Sequence, residues 1–198
     1  MAVGSSSFAQ TNTDELAQLN LRVTQLEKQV KDISEFLEPL KGQQSTIASR
    51  RKALQEKVQA RFALDRDAYT SEQVLDAEKL YVLVSTKPSS MIASNSFQAL
   101  LTNYPHMDRT GCAALYMAQR SQGDERAKNL QECIDKYSDC MYGDGVQVGA
   151  FARFLLAREY SRLGLDKKAE ALSDELKTQY PDAVDHAGTL LIDLKITK

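Results

Sequence analysis

The 198-residue chain contains no tryptophan, two histidines, three cysteines, four prolines and nine glycines. Each scarcity excludes something. With only His106 and His186, and no ligand partner at metal-site spacing from either, the sequence supports neither a metal site nor a His-based nucleophile system. Cys112, Cys133 and Cys140 are an odd set without a Cys-x-x-Cys pair, which excludes a standard zinc module or a thioredoxin-type centre. β-branched residues are sparse and rarely alternate with polar ones, so essentially no sheet is expected. No apolar stretch approaches the length that spans a bilayer. Neither sign of charge dominates: 25 Lys and Arg against 27 Asp and Glu give a net charge of −2. That balance lacks the basic excess that phosphate neutralisation demands, so nucleic acid is not the expected partner.

What is present favours helix: Ala, Leu, Gln, Glu, Lys and Arg are abundant. The strongest pattern is Leu16, Leu19, Val23, Leu26, Val30, Ile33, Leu37 and Leu40, spaced 3, 4, 3, 4, 3, 4, 3. This is the a/d seam of a coiled coil. A lone helix cannot bury such a stripe, so oligomerisation through it is expected. The coil is assigned to residues 14–41, with Asp14 as N-cap and an interruption at Pro39 and Gly42. Residues 1–13 read as a disordered tail or the remnant of a signal peptide, because Ser7-Phe8-Ala9 before Gln10 has the small-x-Ala form of a cleavage site. Residues 42–69 read as a helical connector. Ile47, Leu54, Val58 and Phe62 continue a weaker stripe there, while Gln44 and Arg51 fall at seam positions.

Residues 70–198 read as a run of helix pairs. Thr70 with Gln73 forms a capping box sequence. Tyr104-Pro105, Tyr137-Ser138 and Tyr180-Pro181 each close a pair, at intervals of 33 and 43 residues, with the loop 139–145 accounting for the longer one. Two helices in about 34 residues is the tetratricopeptide period. The third unit fits best, with Leu156, Ala157, Tyr160, Gly164 and Ala169 at repeat positions 7, 8, 11, 15 and 20, counted back from Pro181 at 32. The first unit has Ala93, Phe97 and Pro105 at positions 20, 24 and 32 but Tyr81 at 8, and the middle unit is degenerate. A last helix from Asp182, bearing Leu190, Leu191 and Leu194, is expected to cap the stack. The fold class is therefore all-α: a coiled-coil helix followed by a tetratricopeptide-like superhelical repeat domain.

One short stretch adds to this order of elements. Arg22-Val23-Thr24-Gln25-Leu26-Glu27 has the Arg-h-x-x-h-Glu form found in trimeric coils, with Arg22 at g and Glu27 at e around the seam residues. There Arg can pair with Glu of a neighbouring helix while its stem covers the apolar seam. Coil, repeats and this stretch together resemble the periplasmic Tol–Pal-associated family (YbgF/CpoB-like). The resemblance implies a homotrimer in the periplasm, a role in cell-envelope organisation and a partner such as TolA. The less regular repeats, Pro39 and the insertion 139–149 depart from that family. Val at a with Leu at d also suits a dimer.

Tetratricopeptide units bind extended peptides along their first helices. The corresponding positions 2, 5, 9 and 13 are Phe151, Phe154, Arg158 and Arg162 in the third unit and Arg109, Cys112, Tyr116 and Arg120 in the middle one. Aromatic and Arg side chains on one face suit peptide anchoring; the alternative is that the Phe residues are core and the Arg residues a solvated face. Tyr142–Gly149 places glycines before a helix but lacks the Lys-Ser/Thr of a phosphate loop, so a structural turn is expected. Cys112 and Cys133 sit at similar distances from the Gly123 turn on consecutive helices. They pair as a disulfide in an oxidising compartment or remain buried thiols in a reducing one, with Cys140 left over. No cofactor and no catalytic constellation is indicated. The expected function is a non-enzymatic, oligomeric protein-binding scaffold; a cytosolic tetratricopeptide adaptor or chaperone-like scaffold is the alternative.

Overall fold

Local chemistry decides where the helices start and stop. The computed structural model describes residues 6–87 and 90–196, with side chains described at 16–38, 46–87 and 90–196. Expectations for residues 1–5 and for the Leu40 side chain lie outside these. The helices are α1 (Ser6–Ala68), α2 (Ser71–Thr86), α3 (Met91–Asn103), α4 (Asp108–Arg120), α5 (Gly123–Lys136), α6 (Val148–Arg162) and α7 (Asp166–Gln179), followed by a 3₁₀ turn at Leu191–Asp193. The protein is all-α: among the described residues there is no strand, only two isolated bridges, Met141 with Gln147 and Val184 with Leu190.

The capping box forms as its sequence implies. Gln73 N donates to Thr70 Oγ1 at 3.3 Å and Thr70 N to Gln73 Oε1 at 2.9 Å. Ser90 caps α3 by accepting from Ala93 N at 3.2 Å. Three helices end alike. Tyr104, Tyr137 and Tyr180 stand at the C-caps of α3, α5 and α7 with φ of −135°, −127° and −133°, their N–H groups donating to Leu100, Cys133 and Leu176 carbonyls.

Two differences from the sequence reading concern where helix continues. α1 runs from Ser6 through Pro39 and Gly42 as one helix, whereas a disordered tail to residue 13, an N-cap at Asp14 and an interruption at Pro39 and Gly42 were expected. Helix-favouring sequence on both sides accounts for its continuing past a single proline and a single glycine, each of which lowers local stability without ending every helix. At the other end, no helix starts at Asp182. Residues 183–191 form a hairpin turn instead: Asp185 N donates to Thr189 O and Gly188 N to Asp185 O, both at 2.9 Å. Asp185 Oδ1 also accepts from Ala187 N and Thr189 N, and Gly188 holds φ +82°. A side chain that satisfies its own backbone N–H groups competes directly with helix.

Two compact units divide the chain between Ser49 and Arg50. The first contains the N-terminal part of α1, with the Leu16–Leu37 seam exposed. In the second, consecutive helices pack as hairpins: α2 lies on α3 and α4, α4 also on α5, and α6 on α5, α4 and α7. Ala77, Val84, Leu100, Tyr104, Met107 and Ala113 form one core cluster. A larger one runs from Leu115 and Leu130 through Val146, Leu156 and Leu176 to Leu191. Ala93, Ala157 and Ala169 are buried, as small residues at close helix crossings are expected to be.

Candidate functional site

α1 carries two different surfaces on one helical stripe. In the first unit, Leu16, Leu19, Val23, Leu26, Val30, Ile33 and Leu37 are all exposed, from 40% at Leu37 to 63% at Val30. Arg22 and Glu27 flank this stripe and are exposed as well. In the second unit, Val58, Arg61 and Asp65 are buried to 8% exposure or less. Leu54 lies beside them, half-buried, its side chain against the Gly145 backbone.

Arg61 is the centre of a buried ionic network. Its Nη1 donates to Asp65 Oδ1 at 2.7 Å and its Nη2 to the His106 carbonyl at 3.0 Å. Nε lies 3.7 Å from Asp108 Oδ1 and 3.5 Å from Asp139 Oδ2. Asp65 Oδ2 accepts from Asp108 N at 2.9 Å, and Asp108 Oδ1 accepts from Met141 N at 2.6 Å. The network thus joins α1 to the start of α4 and to the hairpin turn of residues 140–148. Burial pushes the Asp108 carboxyl up to about 6, against the opposing pull of the Met141 N–H and Arg61. Sequence reading placed Asp108 as a helix cap; Met107 takes that position and Asp108 turns inward. Arg61 and Asp65 were not singled out, although both are polar residues on a seam face and so carried a signal.

The candidate peptide-binding residues separate into two groups. On α4, Arg109 forms an ion pair with Glu78 of α2 and lies over the Phe62 and Tyr81 rings, 5.2 and 5.0 Å from their centroids. Cys112 is covered by the inserted turn: its Sγ lies 3.5 Å from Met141 O, and its carbonyl accepts from Tyr142 Oη at 2.7 Å. Tyr116 Oη donates to Ser85 O at 2.9 Å. Arg120 is exposed. The end of α1 and the turn therefore cover the first two of these positions. On α6, Phe151 and Phe154 stack with centroids 6.1 Å apart, Arg158 is exposed over Phe154, and Arg162 is exposed and paired with Glu159 at 2.5 Å. Of these, Phe154 is a core residue at 4% exposure and Phe151 is half-buried against the core, so the face presents Arg158 and Arg162 with part of Phe151.

His186, from the second hairpin turn, reaches that face. Its Nδ1 lies 2.7 Å from Asp144 Oδ2, and its ring meets Tyr142 and Phe151 edge-on at 5.0 and 5.4 Å. The imidazole is thus held by one carboxylate and flanked by two aromatic rings while staying half exposed, an arrangement that joins the two turns. All three cysteines are free and buried. Cys112 is engaged with Asp108 and Met141, while Cys133 faces the cavity between α3, α4 and α5. Desolvation raises the Cys112 thiol well above its usual range and Cys133 and Cys140 to about 12, which keeps them protonated at neutral pH.

No described helix is long and apolar enough to cross a membrane. Among the described residues no His, Cys, Asp and Glu group could hold a metal ion. The arrangement defines an all-α protein of packed helical hairpins. Compared with protein-family models, curated proteins and solved structures, the chain matches none.

Proposed function

We propose that this chain is a non-enzymatic protein-binding scaffold that self-associates through the Leu16–Leu37 stripe and docks a partner on its repeat domain. One observation carries the reading: seven consecutive seam residues are exposed in the single chain. Burying apolar area of that extent between copies is strongly favourable, at about 25 cal/mol per Å². Arg22 and Glu27 at g and e favour a trimer over a dimer. Consecutive hairpins, buried Ala93, Ala157 and Ala169, and matched Tyr C-caps support a tetratricopeptide-like repeat domain. With the start of α4 covered, docking falls to α6, where Arg158, Arg162 and half-buried Phe151 are presented and Phe154 packs into the core beneath them. Joining several such faces on one coil raises weak affinities by avidity. On the resemblance above, the setting is the periplasm and the partner an envelope protein such as TolA.

The second reading is a cytosolic adaptor of the same architecture. Three buried free thiols favour it, because an oxidising compartment promotes pairing. Light scattering on the full chain and on a Val23→Asp, Val30→Asp variant tests the assembly. A trimer that becomes a monomer supports it; a monomeric parent chain overturns it.

A further inference from the structure

The heptad register of the coil does not stop where its apolar seam does. Counting in sevens from Val23 at a and Leu26 at d places Leu54 and Arg61 at d and Val58 and Asp65 at a. The second unit covers those residues, with Phe62 half-buried beneath Arg109 beside them, while Gln55, Glu56, Lys57, Gln59, Ala60 and Leu64 are exposed. Between the two stretches, Arg51 falls at a and is exposed. One register is therefore exposed to solvent over Leu16–Leu37 and buried within the chain from Val58 to Asp65.

In a parallel homo-oligomer each seam layer brings together the same residue from every copy. Continuing the coil to Asp65 would stack Arg51 on Arg51, Arg61 on Arg61 and Asp65 on Asp65, each layer a desolvated set of like charges. In the single chain both buried groups have opposite charges and backbone partners instead. Arg61 meets Asp65, Asp108, Asp139 and the His106 carbonyl, and Asp65 receives the Asp108 N–H. The polar pair is repulsive in one arrangement and charge-compensated in the other, where Arg61 Nε alone of the two side chains stays without a hydrogen-bond partner among the described residues.

Building on the self-association proposed above, we infer that α1 hands its seam from other copies of the chain to its own repeat domain, and that Arg61 and Asp65 set the point of exchange. The seam residues up to Leu37 pack between chains. Leu54, Val58, Arg61 and Asp65 pack within one chain, against the start of α4 and the 140–148 turn. The repeat domain's contact with α1 is then a reserved site whose occupant is α1 itself.

Cysteines at two a positions read this directly. After mild oxidation of the full chain, Val30→Cys yields an interchain disulfide band on a non-reducing gel and Val58→Cys yields none. Adding Arg61→Leu and Asp65→Leu to Val58→Cys produces the band, because the layers around residue 58 then carry no stacked like charges. An interchain band from Val58→Cys alone overturns the inference, since the coil would run on through the buried stretch. No gain of band in the triple variant overturns the role of Arg61 and Asp65. Absence of the band in Val30→Cys removes the oligomer itself, and the exchange with it. Hydrogen exchange on the unaltered chain needs no variant: protection at 16–37 rises with protein concentration while protection at 54–65 stays constant. A parallel rise in both stretches overturns the inference.

Discussion

The two hairpin turns share a backbone and differ in what they bury. In residues 140–148, Tyr142 N donates to Val146 O, Gly145 N to Tyr142 O and Val148 N to Cys140 O. In residues 183–191 the same three bonds recur 43 positions later, from Asp185 to Thr189, Gly188 to Asp185 and Leu191 to Ala183. Gly145 and Gly188 hold φ of +95° and +82° at matching places. Yet Tyr142, Gly145 and Val146 are buried, whereas at the matching places Asp185 is half-buried and Gly188 and Thr189 are exposed; the tips, Gly143 and Asp144 against His186 and Ala187, are exposed in both. The residue in the second ladder position makes the difference. Tyr142 reaches the Cys112 carbonyl across α4, while Asp185 turns back on its own loop. Local bonds specify the turn; one side chain decides whether the turn packs inward.

Removing that side chain is the largest test of the contrast. Tyr142→Ala is expected to lower stability by about 3–5 kcal/mol, the usual cost of emptying a buried aromatic site. Asp185→Ala, at the matching position, loses two short-range bonds and is expected to cost about 0.5–1.5 kcal/mol. Urea denaturation of both variants measures the gap; equal losses would show that the turns are buried alike.

pH separates the turns next, because Asp108 anchors the inward one through Met141 N. Its carboxyl titrates at about 6 when folded, against 3.8 ordinarily. The folded state therefore holds the proton more tightly, and this group's contribution is fully present below about pH 4 and lost as pH rises to 6. At 1.36 kcal/mol per unit this amounts to about 3 kcal/mol. The stability of the parent chain minus that of Asp108→Asn, followed by denaturation from pH 4 to 7, is expected to fall by about 2 kcal/mol of this, because the unfolded carboxyl is already partly ionised at pH 4. A flat difference refutes the shift.

Glycine substitutions sharpen the comparison further. A Cβ on Gly145 meets Leu54 Cβ at 3.2 Å, while one on Gly188 meets nothing within 4 Å. Gly188→Ala is expected to cost about 1–2 kcal/mol from its dihedral alone, and Gly145→Ala about 1 kcal/mol more from crowding against α1. Thermal melts of the pair report the excess. The smallest effect is expected at the ion pair that links the turns: Asp144→Asn should change stability by less than about 1 kcal/mol, because both partners are half exposed. A larger loss by the same melt would make that contact a principal tie between them.

How legible this was depended on whether a signal was local. Thr70 with Gln73 and the three tyrosine stops act within a few residues, so sequence alone placed them. The Cys112–Tyr142 contact spans 30 residues and has no periodic mark. Leu190, Leu191 and Leu194 mimic a helical face, and only Asp185 and Gly188 together mark the turn that replaces it. At the candidate binding face, repeat positions grouped the Phe and Arg residues of α6. They gave no warning that Phe62 and Met141 would cover Arg109 and Cys112, because those lie outside the repeat pattern. Arg61 and Asp65 were visible as charges on an apolar stripe, but their partners come from three separate segments.

The closed bonding of the hairpin turn has a consequence for how such a chain can change over generations. Its ladder bonds are made inside the segment, with Met141 N of the first copy the exception that reaches Asp108, and its ends meet at a tyrosine stop that also occurs at Tyr104, where no such segment follows. A piece with these properties is portable. A copy like the second can be gained or dropped at a helix–helix junction with its ladder bonds intact, whereas the first has since acquired the Asp108 and Cys112 contacts that tie it in place. Inheritance of the frame and invention at its tip are separable, and this molecule holds one copy that points inward and one that does not.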